Sequence, residues 1–143
     1  MPPRSRTAPA RTARPISVTA VVDAVGALAS GALEGHVYLY DTNKSAGSTG
    51  HGTGQLLTHV ARGDQVIWNA LALECEAYVA IDSIAIDPEV CEPERRVYPG
   101  SDIPYWIGTV KAEVAERIDY RIAFRLGTRT EPLSTDRGPG LAG

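Results

Sequence analysis

The sequence predicts an all-β protein, an antiparallel β-sandwich of about seven strands with flexible termini. Three observations predict it. Short β-branched and aromatic runs recur along the chain with a side-chain period near two. Clusters of Gly, Asn, Asp and Pro punctuate those runs. No long stretch carries the 3.6-residue apolar period of a helix. The composition agrees: 143 residues, 43% hydrophobic and 22% charged, suit one globular domain. Many of the 14 Gly and 10 Pro lie near the ends, which leaves a folded part of about 115 residues, large enough to fold without disulfides or metal.

Residues 1–14, MPPRSRTAPARTAR, are rich in Pro, Ala and Arg and have no hydrophobic period. They read as a disordered basic arm, either solvated or docked on an acidic surface of a neighbouring subunit. The domain is expected over residues 15–127. It opens with a strand at 16–25, where Ile16, Val18, Ala20 and Val22 share a face. Residues 26–35 carry three glycines and read as a connection with one helical turn at most. His36–Tyr40 is a second short strand. The loop at 41–54 holds four glycines but lacks the Gly-Lys-Ser/Thr of a phosphate loop.

Leu56–Val60 and Val66–Ala70 alternate about Arg62-Gly63-Asp64, which predicts a hairpin with a glycine turn. Arg-Gly-Asp is also an integrin-recognition tripeptide, but turn chemistry explains it without a partner. Residues 78–87 form the longest strand candidate. Their apolar parity switches at Asp82-Ser83, which predicts a β-bulge. Residues 88–104 hold four Pro and many charges and read as a long surface loop. A strand follows at 105–110. Residues 119–126 then alternate cleanly, with Tyr120, Ile122, Phe124 and Leu126 inward. Residues 128–143 lose the pattern and read as a flexible tail.

The order of these features resembles the AidA/PixA-type bacterial inclusion-body protein family. The resemblance rests on Val22-Asp23 closing the first strand, Gly-His-Gly-Thr at 50–53, Gly63-Asp64-Gln65-Val66-Ile67-Trp68, the Ile-rich strand at 79–86 and Tyr-Arg-Ile-Ala-Phe at 120–124. It implies a cytoplasmic β-sandwich that accumulates or assembles. It implies no active site, so no catalytic residue carries over.

The residues point to no reaction chemistry of their own. Net charge of −3 argues against a nucleic-acid surface, and no apolar run approaches the length of a membrane span. No long apolar segment follows the basic N-terminus, so the expected compartment is the cytoplasm. Cys75 and Cys91 are then expected as free thiols, with a Cys75–Cys91 disulfide as the alternative under oxidation. His36, His51 and His59 lie in different elements, although a hairpin could bring His36 and His59 together. Without Cys-x-x-Cys or His-x-x-x-His spacing, no metal and no cofactor are expected. The acidic residues from Glu74 to Glu94 lack calcium-loop spacing and read as solvated, partly balanced by Arg95 and Arg96. No serine has a Gly-x-Ser-x-Gly context.

Trp68 reads as core. Tyr98, Tyr105 and Trp106 flank the Pro-rich loop and are the candidates for ligand or subunit contact. The sequence therefore predicts a non-enzymatic, self-associating structural protein whose partner is itself. A small-ligand or carbohydrate-binding module using Tyr98, Tyr105 and Trp106 is the alternative.

Overall fold

The computed structural model describes residues 15–143, so the basic arm expected over 1–14 lies outside the described residues. The order is β1 (Pro15–Val22), α1 (Ala24–Ser30), β2 (Val37–Asp41), a 3-10 turn (Lys44–Ala46), β3 (Leu57–His59), β4 (Gln65–Ala72) and β5 (Val79–Ala85). Then come β6 (Glu94–Val97), β7 (Pro104–Thr109), β8 (Ile118–Asp119), β9 (Arg121–Leu126), β10 (Leu133–Ser134) and β11 (Gly140–Ala142). The protein is mostly β, as predicted, but its strands form three sheets: β2-β1-β4-β7-β6, β10-β9-β5 and β3-β11-β8.

Two pairings depart from the all-antiparallel expectation. β1 runs parallel to β4 in register Val18↔Trp68, and β3 runs parallel to β11 in register Thr58↔Leu141. The predicted hairpin between Leu56–Val60 and Val66–Ala70 does not form. Its turn is present, with Gly63 at φ +96° and Asp64 Oδ2 accepting from the Ala61 amide at 2.9 Å. That turn carries the chain from one sheet to another. The hydrogen bonds of β3 go to β11, and the Val60 amide donates to Ala142 O at 2.8 Å, while β4 lies between β1 and β7. Alternation marks a strand and its buried face; it does not say which neighbour the strand takes.

Three more segments differ from expectation. Residues 24–30 form a helix of about two turns. Asp23 Oδ1 accepts from the Gly26 amide at 2.9 Å, and Gly31 closes the other end in the left-handed conformation. A Cβ at Gly26 would sit 2.5 Å from His36 Nδ1, so this glycine answers close packing and not a helix break. The Pro-rich loop contains β6, whose hydrogen bonds go to β7. The C-terminal residues expected as a tail supply β10 against β9 and β11 between β3 and β8, with Leu133 and Leu141 buried.

The predicted bulge falls where the parity switch put it: the β5–β9 register shifts between Ile81 and Ser83. Tyr120, Ile122, Phe124 and Leu126 are all buried, as their alternation requires. Trp68 is fully buried, donates Nε1–H to Tyr120 Oη at 3.1 Å, and meets that ring edge-on with centroids 5.8 Å apart. Burial holds the Tyr120 phenol neutral, with its pKa well above the ordinary value of 10.0. No helix among the described residues is long and apolar enough to cross a membrane.

Candidate functional site

The five-stranded sheet has one buried face and one open face. Ile16, Val18, Ala20, Val22, Val37, Leu39, Val66 and Trp68 fill the buried side. Pairing then fixes the other side, because residues opposite one another share a face. Val21 lies opposite Tyr38 and Thr19 opposite Tyr40; Val21 also lies opposite Leu71, and Ile67 opposite Ile107. Leu71 is 57% exposed and Tyr40 45% exposed. Val21, Tyr38, Ile67 and Ile107 are half-buried beside them, and neighbouring exposed apolar side chains of this size are a common mark of a contact surface.

Tyr98 and Tyr105 belong to this open side. Their rings stack 4.4 Å apart at 30°, and the Tyr98 hydroxyl donates to Asn69 Oδ1 at 3.0 Å. Trp106 does not join them. It pairs with Trp68 across the β4–β7 ladder, so it follows Trp68 toward the core side. Successive strand residues point to opposite faces, which separates Trp106 from Tyr105 despite their adjacency. Trp106 Nε1 is buried without a hydrogen-bond partner among the described residues. The three candidates thus divide into a tyrosine pair on the open face and a tryptophan beneath it.

The edge strand β6 is exposed at every residue and is charged at Glu94, Arg95 and Arg96. Arg96 donates to Glu94 at 2.7 Å, and this hydrogen bond is the main reason the guanidinium pKa lies above its ordinary value.

The remaining polar candidates have separate local tasks. Glu74 accepts from the Ala24 amide at 3.0 Å at the start of α1. Asp23, beside it, is held below the ordinary carboxylate value, first by its hydrogen bond with Glu74 and then by the Gly26 amide. His36 Nδ1 lies 3.3 Å from Asp23, and His51 Nε2 lies 2.9 Å from Asp41. Asp82 pairs with Arg125 at 2.8 Å, and Glu92 with Lys111 at 3.0 Å. The acidic residues therefore do not converge on a common point. The described residues contain no group of three or more His, Cys, Asp and Glu fit to hold a metal ion.

Cys75 and Cys91 are both free thiols. Cys75 is exposed in the turn after β4, whereas Cys91 is fully buried. Burial pushes the Cys91 thiol up to about 11 from 9.0. A Cβ at Gly108 would lie 2.5 Å from its Sγ, so the missing side chain of Gly108 makes room for the sulfur.

A family model described as a domain of unknown function, DUF8788, matches residues 14–131. No curated protein matches the chain. Among solved structures, the crystal structure of inclusion body protein PixA from Burkholderia cenocepacia J2315 is similar with a TM-score of 0.74. The likeness covers 96% of this chain and 99% of that chain at 14% identity. At that identity it is a likeness of fold, and it bears out the resemblance read from the sequence.

Proposed function

The chain belongs to the DUF8788 family, and on that premise we propose that it is a non-enzymatic structural protein of the bacterial cytoplasm that associates with copies of itself. The observation that carries the reading is the open face of the five-stranded sheet, where Tyr40 and Leu71 stand out with the Tyr98–Tyr105 pair. A face of this kind is lost to water only against another surface. The fold likeness to an inclusion body protein supports the same reading. We further read the five-stranded sheet and the β10-β9-β5 sheet as the two layers of a sandwich. The hydrogen bond and edge-on ring contact of Trp68 on β4 with Tyr120, the residue just before β9, support that reading.

The test is light scattering with negative-stain microscopy over a concentration series of the full chain. Regular particles, filaments or lattices are expected. The double variant Tyr40→Glu, Leu71→Glu should return the protein to monomer without lowering its melting temperature, because both side chains are exposed. A wild-type monomer at every concentration would overturn the reading. If that monomer also bound specific sugars on a glycan array, the exposed tyrosines would instead mark a carbohydrate-binding module.

A further inference from the structure

A cavity of about 740 Å³ opens where three loops meet. Gln55 approaches from ahead of β3, residues 117–121 from around β8, and Asp136–Gly138 from ahead of β11. Strand pairing fixes the meeting. β11 runs between β3 and β8, with Gly140 opposite both Leu57 and Asp119, so the loop that leads into β11 must pass beside Gln55 and Arg117. Arg121 enters at the start of β9, paired with Ala85.

The groove gathers cations on a chain of net negative charge. Arg117 donates to Asp119 at 2.6 Å and is held by it. Arg121 and Arg137 have no ion-pair partner among the described residues, and both are exposed. This sets them apart from Arg96 and Arg125, each of which has its carboxylate. Asp136 is the remaining carboxylate on the wall, so this cavity is lined by two guanidiniums and one carboxylate that have no ion pair among the described residues. A second cavity of about 220 Å³ adjoins through the shared residues Gln55, Asp136 and Arg137. Leu33 and Val37 give that cavity an apolar side, and Glu34, exposed and without an ion pair among the described residues, lines it as well.

We propose that this double cavity binds a small organic oxyanion, a phosphate or carboxylate joined to a compact apolar group. The planar fork of a guanidinium matches both anions in bidentate fashion. Arg121 and Arg137 hold the anion, and the apolar group enters the adjoining cavity beside Leu33 and Val37. Asp136, with Glu34 in the adjoining cavity, limits the ligand to one with enough negative charge to offset them. The proposal shares no residue with the open tyrosine face and is independent of self-association.

Isothermal titration calorimetry on the full chain tests it, since heat is read from monomer and assembly alike. The probes are phenyl phosphate, benzoate, inorganic phosphate and phenol, in low-salt buffer. Saturable binding of phenyl phosphate or benzoate is expected in the millimolar range, weakening as salt is added. Which of the two binds more tightly identifies the anion. Inorganic phosphate should bind about tenfold more weakly, since it leaves the apolar cavity empty, and phenol should give no saturable heat. The double variant Arg121→Gln, Arg137→Gln should lose about tenfold or more in affinity with an unchanged melting curve. Arg121→Lys keeps the charge without the fork, folds as readily, and should still weaken binding. No saturable heat with either organic anion would overturn the proposal. So would equal affinity in the double variant, or inorganic phosphate matching phenyl phosphate.

Discussion

Replacing Leu141 with alanine tests whether the C-terminal residues belong to the folded core. Leu141 is fully buried, and its strand, β11, has partners on both sides: β3 in parallel and β8 antiparallel. Truncation removes three buried carbons and leaves a cavity whose walls are tied to two other strands. Leucine-to-alanine changes at such sites cost about 2–5 kcal/mol, and the upper part of that range applies where neighbours cannot collapse. For a chain of this length each kcal/mol moves the melting midpoint by about 4 °C, so a fall of about 8–20 °C is expected. Thermal and urea unfolding followed by circular dichroism measure it, with an unchanged urea slope showing that the two end states are preserved. Leu73→Ala is the control: Leu73 is 57% exposed, and its loss should stay within about 0.5 kcal/mol. If Leu141→Ala costs no more than Leu73→Ala, β11 is not part of the cooperative core and the reasoning fails.

Three further predictions concern the interior. Tyr120→Phe keeps the ring but leaves the Trp68 indole N–H buried without its acceptor; a loss of about 1–3 kcal/mol is expected in the same unfolding assays. Cys91 keeps its proton in the native state up to about pH 11, whereas the unfolded chain releases it near 9.0. Its contribution is therefore complete below pH 9 and is lost as pH rises through 11, about 2–3 kcal/mol in all. Cys91→Ala should flatten the stability curve over that interval, although the buried Tyr120 phenol adds a decline of the same sign above pH 10 in both proteins. Gly108→Ala drives a methyl against Cys91 Sγ and the Pro93 backbone and should cost about 1–3 kcal/mol. Combining it with Cys91→Ala should recover only part of that loss in a double-mutant cycle, because Pro93 remains.

Local patterning made most strands legible. The 120–126 alternation gives the inward set residue by residue, and the parity switch at Asp82-Ser83 marks the bulge because an extra residue must turn the strand over. Pairing was not legible in the same way. The Gly63 turn suggests a hairpin by its local chemistry, yet the competing partner for β3 is β11, about 80 residues away in the chain. The closing strands were missed because β10 and β11 span only two and three residues, too few for a period to register. The candidate site was half legible. Tyr98 and Tyr105 do meet, but Trp106 required the β4–β7 register to be placed. The arginine groove was hidden for the same reason as β11: Arg137 lines the same cavity as Arg121 only once the residues after 128 are folded.

The sheet edges explain why association is assigned to a face. An open strand edge invites pairing with another chain, and proteins block it with charge, bulges, brevity or cover. Each edge here has such a block. β6 presents Glu94, Arg95 and Arg96, so two copies aligned edge to edge would bring arginines together. β2 is bridged at Leu39 by Thr53, and β3 at Leu57 by Thr49. β5 is bent by its bulge, and β8 and β10 are two residues long. Strand addition is thus opposed at every margin among the described residues, while the centre of the open face of the five-stranded sheet is formed by the uncharged Ser17, Thr19, Val21, Ile67, Asn69 and Leu71. Adding Arg95→Val and Arg96→Thr to the wild-type chain separates the two modes. If faces join the copies, particle form is unchanged or new edge-to-edge aggregates appear beside it. If those two substitutions alone abolished the native particles, the β6 edge would be the true contact and the face assignment would be refuted.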